Sequence, residues 1–150
     1  MERWSLAALH LLALGIGVAG IWSRRTALRG TLDAAGITRV LAADNLWAIA
    51  AILWLATGLL RAFGGYEKGA TYYLGNALFI AKMAAFILIW ILEVWPMVTF
   101  IRWRVAIGRH ETPDTRHAAT FATISLAQTV LVVAMVIAAT GMARGYGFGF

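Results

Sequence analysis

The sequence predicts an all-α integral membrane protein, a four-helix bundle with short loops. The 150-residue chain is 61% hydrophobic and 13% charged, whereas soluble domains average about 25% charged residues. It contains four apolar stretches, and each has the roughly 20 residues that cross a hydrocarbon core about 30 Å thick. The segments between them are too short for a separate domain, so a single transmembrane domain over residues 1–150 is the architecture that we expect.

The first two predicted spans are 5–23 and 40–61. The first apolar run continues, without a small-residue cleavage site, into Arg24 and Arg25. A signal peptide has a shorter apolar core and such a site, so the two arginines indicate a stop-transfer flank and a retained helix. The connection to the second span carries the glycine, aspartate and threonine that are typical of loops.

The third and fourth predicted spans are 76–101 and 118–142. From Ala77 to Ile101 the third is apolar except for Lys82, Glu93 and a terminal threonine. Charges at the centre of a bilayer cost about 2.5 to 3.5 kcal/mol on insertion scales, so such residues usually face the interior of a bundle and serve a function there. The third span is therefore the best functional lead in the chain.

The distribution of lysine and arginine predicts the orientation. The first and third loops, with the adjoining helix ends, hold Arg24, Arg25, Arg29, Arg39, Arg102, Arg104, Arg109 and Arg116. The opposite side holds Arg3, Arg61, Lys68 and Arg144. The positive-inside rule then places both termini outside, in the periplasm if the chain lies in the inner membrane of a Gram-negative bacterium. Membrane topology explains the net charge of +6 better than nucleic-acid binding does, because the basic residues flank apolar spans.

Polar residues inside the spans fall into two predicted layers. His10 and Lys82 each lie about six residues into a span from the outer side, hence about 9–10 Å deep. An inner layer contains Asp44, Asn45, Glu93 and Gln128. Lys82 and Glu93 share a helix face but are about 16 Å apart, so each needs its own partner. For Glu93 the candidates are Asp44, Asn45 or an inner arginine such as Arg25 or Arg102.

Each of these residues also has a structural interpretation. Lys82 could snorkel to the interface, and His10 could be a hydrogen-bonded packing residue. Glu93 could form a structural ion pair, while Asp44 and Asn45 could be polar residues of an early helical turn. The common depth of His10 and Lys82 favours a cofactor or small-ligand site.

Two sequence segments resemble known membrane families. Ala8-Leu9-His10 in the first span and Phe79-Ile80-Ala81-Lys82-Met83 in the third resemble the HemJ-type protoporphyrinogen oxidases and the wider group related to the copper-resistance D (CopD) membrane domain. The stretch from Leu9 to Arg104 resembles the bacterial domain of unknown function 2214. The HemJ resemblance implies haem association through His10 and Lys82. Ile80 stands where HemJ-type proteins often have a histidine, so the resemblance implies a shared scaffold more than oxidase activity.

Three functions of different classes are consistent with the sequence. The first is binding of haem b, another tetrapyrrole or a small ligand at His10 and Lys82. The second is transport or a proton pathway, which in so small a protein would require a homo-oligomer. The third is a non-enzymatic accessory role in a larger membrane complex, for which the aromatic tail 145–150 could dock on a partner. The sequence leaves open whether the protein is an enzyme, and the two acids lie too far from His10 to predict a metal site.

Overall fold

Among the residues that it describes, the computed structural model has four long α-helices in series. They are Glu2–Leu28 (α1), Ala34–Phe63 (α2), Ala77–Gly108 (α3) and Ala118–Ala143 (α4). The structure describes residues 2–65 and 74–147, without the side chains of residues 2 and 3. Within those residues there is no β-strand, and the predicted all-α four-helix class is confirmed.

All four helices are long and apolar enough to span a membrane. Their outward surfaces carry large apolar side chains, and Ile52, Ile91 and Ile137 are 63%, 63% and 66% exposed. Exposing so many such groups to water would raise the free energy of the folded protein, whereas lipid tails solvate them well. The chain is therefore a membrane protein, and the lipid bilayer is its surrounding medium.

The helices extend beyond the predicted apolar spans, mainly at the end of the bundle that holds the connections 29–33 and 109–117. We call this end the arginine end, and the opposite end, where α1 begins and α4 finishes, the terminal end. Helix α1 continues from the predicted limit at residue 23 to Leu28, and α3 from 101 to Gly108. Hydropathy marks where lipid contact ends, but backbone hydrogen bonding carries a helix further into a polar region.

Two asparagine or aspartate side chains fix the starts of α2 and α3. The carboxylate of Asp33 accepts a hydrogen bond from the Gly36 amide at 2.7 Å. The side-chain oxygen of Asn76 accepts from the amides of Leu78 and Phe79. These caps satisfy amide groups that have no partner within the helix, and such a cap stabilises a protein by about 1 kcal/mol.

The helices do not pack equally closely. Helix α1 packs along both α2 and α4, and α3 packs on α4. The α1–α2 contact is tight because Gly17 and Gly20 of α1 lie against Trp47 of α2. Helices α2 and α3 instead meet through long side chains, including an edge-to-face contact between Trp54 and Phe86 with centroids 6.1 Å apart. This wider separation leaves space between α2 and α3 in the interior of the bundle.

The segment after α4 folds back onto the start of α3. The side-chain amide of the fully buried Asn76 donates to the Tyr146 carbonyl at 3.0 Å, and the Ala77 amide donates to the Gly147 carbonyl at 2.9 Å. This part of the aromatic tail therefore docks within its own chain. The rest of the tail, and Lys68 of the orientation argument, lie outside the described residues; Arg3 is described only in its backbone.

Candidate functional site

A cluster at the arginine end joins side chains from all four helices around Arg24. The Arg24 side chain has no solvent exposure. Its guanidinium donates to Asp44 of α2 at 3.0 Å, and to both carboxylate oxygens of Glu93 of α3 at 2.6 and 2.8 Å. It also donates to Ser125 and Gln128 of α4 at 3.2 and 2.9 Å. A guanidinium has five N–H donors, so all five are satisfied here.

The acceptors of this cluster are satisfied as well. Gln128 donates to Glu93 at 2.7 Å and to the Ile89 carbonyl at 3.2 Å. The second oxygen of Asp44 accepts from Arg104 at 2.9 Å. Two arginines therefore balance two carboxylates. A buried charge is tolerated when it is paired and fully hydrogen-bonded, so this cluster has the properties of a structural clamp.

The structure brings together most, but not all, of the inner residues proposed from the sequence. Asp44, Glu93 and Gln128 surround one guanidinium, whereas Asn45 is exposed and accepts a hydrogen bond from Arg104 at 2.7 Å. The arginine that pairs with Glu93 is Arg24, and not Arg25 or Arg102.

Sequence reasoning had assigned Arg24 to a loop, because charged residues end an apolar run. A helical signal was nevertheless present. Arg24 follows the buried Gly17, Gly20 and Ile21 by seven, four and three residues, and therefore continues their stripe along α1.

A cavity of about 330 Å³ lies among the four helices at the terminal end. Its described lining includes both His10 of α1 and Lys82 of α3, which the sequence had placed at one depth. Arg61 of α2 also lines it, although sequence reasoning had counted that residue only as a topology signal. Three basic side chains from three helices thus converge on one cavity, and no aspartate or glutamate occurs among its described lining residues.

The contacts of His10 define the orientation of its ring. Its Nδ1 lies 2.9 Å from the Thr57 hydroxyl oxygen, and the ring stacks on Trp54 with centroids 5.7 Å apart. The Thr57 hydroxyl also lies 2.7 Å from the Leu53 carbonyl, to which it can donate its single proton. When it does so, the hydroxyl oxygen accepts from Nδ1–H, and a neutral His10 then has its lone pair on Nε2. Gly58 permits this packing, since a Cβ there would lie 3.2 Å from the His10 ring.

Lys82 lies beside an aromatic ring at the same cavity. Its ammonium nitrogen is 5.4 Å from the Phe79 ring centroid, within the range of a cation–π contact. The Lys82 side chain is half-buried rather than fully exposed to the apolar surroundings. The contact with Phe79 keeps a cation at the cavity wall.

Trp54 supplies a further hydrogen-bond donor to this region. It lines the cavity and its indole N–H is buried, yet no partner for that N–H lies within reach among the described residues. A buried donor left unpaired costs about 1–3 kcal/mol, so an unsatisfied group of this kind is uncommon in folded proteins. The ring of Trp54 thus borders the cavity, while its N–H is enclosed by the surrounding side chains.

An apolar layer separates the cavity from the Arg24 cluster. It is formed by buried side chains that contact one another across the bundle: Ile21, Trp47, Ile89, Val132 and Met135. The two polar sites are thus distinct, one fully satisfied and one built around a cavity.

Comparison with known proteins assigns the chain to a family. Residues 2–147 match the model of a family described as "Predicted membrane protein (DUF2214)". The chain belongs to this family. The matched range includes the residues of both the Arg24 cluster and the cavity. No curated protein and no solved structure matches the chain.

Proposed function

We propose that this DUF2214 protein binds a small anionic ligand in the cavity at the terminal end, held by His10 and Lys82. The observation that carries the proposal is the convergence of His10, Arg61 and Lys82 on one cavity. Arg61 and Lys82 are cations, and a cation in surroundings of low dielectric attracts an anion strongly because little water screens it. His10 adds a positive charge only when both of its ring nitrogens are protonated. A cavity of about 330 Å³ lies at the lower end of the range typical of ligand pockets, about 300–1,000 Å³.

Haem or another tetrapyrrole belongs to this ligand class. Imidazole is a common ligand of haem iron, and a hydrogen bond from Nδ1–H to a neighbouring oxygen normally orients such a histidine. His10 has this bond to Thr57, so its Nε2 would hold the iron, while Lys82 and Arg61 would bind the propionates. Bound haem would supply one-electron chemistry. The volume of the cavity would require part of the macrocycle to lie between α2 and α3.

A proton pathway is less well supported than a ligand site. The apolar layer around Trp47 and Val132 separates the cavity from the Arg24 cluster, and Arg24 is already saturated with hydrogen bonds. A relay needs titratable groups or water in a continuous chain, which this layer interrupts.

The test is the spectrum and the bound content of the protein purified in mild detergent. Absorption would be recorded in oxidised and dithionite-reduced forms, and co-purified anions would be identified by extraction and mass spectrometry. We expect His10→Ala and Lys82→Ala to lose the bound ligand while membrane insertion stays unchanged. His110→Asn is the matched control, because His110 is exposed at the other end and asparagine tolerates its backbone φ of 59°.

The possible results of this experiment distinguish haem binding, binding of another anion and an accessory role. A Soret band that His10→Ala abolishes would establish haem, and a colourless anion lost in the same variant would establish another ligand. Ligand retained in both cavity variants would refute the site. A protein that carries no anion and takes up no added haem would instead favour an accessory role in a larger complex.

A further inference from the structure

We infer that the ligand is an anionic amphiphile that reaches the cavity from the bilayer, with its apolar chain lying between α2 and α3. This inference rests on the proposed anion site and adds the class of molecule that carries the anion.

The cavity continues into the gap between α2 and α3. A smaller space of about 70 Å³ shares His10, Trp54 and Lys82 with the main cavity. The residues that line only this side space all come from the two facing helices: Leu55, Leu59, Phe63, Met83 and Phe86. These helices are the neighbours that pack least closely, so the gap follows from the architecture of the bundle.

The chemistry of the combined space is divided along its length. Arg61 lines only the main cavity, and His10 and Lys82 lie where the two spaces meet. The residues that line only the side space are leucine, phenylalanine and methionine. Leu59 and Phe63 are 47% and 53% exposed, which places them towards lipid. A molecule with an anionic head and an apolar chain matches this division, since its head would contact the bases and its chain would replace lipid in the gap.

Aromatic rings limit how far the chain can extend. Trp54 contacts Phe86 across the gap, and Phe86 contacts Trp90 with centroids 6.3 Å apart. Trp54 also stacks on His10, so the same ring borders both the head site and the gap. The side space between α2 and α3 therefore ends at the contact between Trp54 and Phe86.

A carboxylate or a phosphate head would satisfy the same donors, and a water-soluble anion could do so without a chain. The experiment therefore compares palmitate with acetate, with inorganic phosphate and with dodecyl phosphate, by native mass spectrometry of the protein in neutral detergent. We expect both long-chain anions to bind and a hundredfold excess of acetate or phosphate to leave them bound. Methyl palmitate, which lacks the charge, should not bind.

A matched pair of variants tests the place of the chain. Leu59→Trp fills the gap and should weaken palmitate binding about tenfold, since overpacking of a close-fitting site typically has effects of this size. Leu60→Trp is the control, because Leu60 is 50% exposed on the same helix but does not line the space. The Leu60→Trp variant should bind palmitate as tightly as the unaltered protein does.

The results distinguish this inference from the proposed function. Acetate or phosphate binding that competes equally with palmitate, and is lost in Lys82→Ala, would overturn the amphiphile and keep the anion site. Equal palmitate binding by the two tryptophan variants would overturn the location of the chain. Absence of binding by every anion would overturn both proposals.

Discussion

Arg24 shows how one side chain can determine the relative positions of four helices. It contacts acceptors on α2, α3 and α4 from its own place on α1, and its planar, bidentate contact with Glu93 fixes direction as well as distance. A lysine could supply the charge but neither the five donors nor their geometry.

Replacing Arg24 should destabilise the protein strongly. Arg24→Met leaves Asp44 and Glu93 without their shared cation, and removal of one partner from a buried pair typically costs about 3–5 kcal/mol. We expect a large fall in the thermal unfolding temperature in detergent, and Arg24→Lys should recover only part of it. Arg25→Met is the control, because Arg25 is partly exposed and contacts Trp22 instead. Equal stability of the two methionine variants would contradict the clamp.

For individual residues, the sequence indicated some members of the two polar sites and did not indicate others. It placed His10 and Lys82 at one depth because helical rise is regular, and the structure lines one cavity with both. It did not find Trp54, because only the three-dimensional packing shows that this indole N–H is buried without a partner among the described residues. The sequence also did not indicate that Arg24 belongs to the inner polar cluster, because hydropathy alone cannot show that a helix continues beyond the lipid core.

At the scale of elements, the α1–α2 pair depends on particular glycines. A Cβ at Gly20 would lie 2.9 Å from the Trp47 backbone nitrogen, which cannot move without displacing α2. Gly15 on the same helix has nothing within 4 Å of such a Cβ. Small residues of a membrane helix commonly permit close packing, so both glycines are candidates for a helix contact, and the structure shows that Gly20 is on the face that meets α2.

Substitution by alanine should therefore affect the stability of the protein differently at these two glycines. Gly20→Ala should lower the unfolding temperature in detergent because the helices must separate. Gly15→Ala should leave it unchanged or raise it, since alanine favours a helix over glycine by about 1 kcal/mol. Similar destabilisation by both variants would mean that helix flexibility, and not helix contact, explains the glycines.

At the scale of the whole molecule, composition and span length sufficed for the fold class, because a bilayer permits few architectures. The order of packing could not be obtained in this way, since lipid solvates all apolar faces alike. Orientation in the membrane stays a prediction. It rests on eight basic residues at the arginine end against four at the terminal end, counted with Arg3 and Lys68.

The orientation can be measured directly because the chain contains no cysteine. Single-cysteine variants at Gly145, beyond α4, and at Gly108, at the end of α3, would report opposite ends of the bundle. A maleimide that does not cross membranes should label Gly145→Cys in intact spheroplasts, and Gly108→Cys only after lysis. The reverse pattern would place both termini inside.

The contact between Asn76 and the segment after α4 has a consequence for biogenesis. Helix α3 leaves the ribosome before Tyr146 and Gly147 have been synthesised, so the Ala77 amide and the Asn76 side-chain amide must wait for their carbonyl partners. The terminal end, with its cavity, is therefore completed late, after α4 has entered the membrane. Until then the translocon or lipid headgroups surround the basic residues that line the cavity in the folded protein.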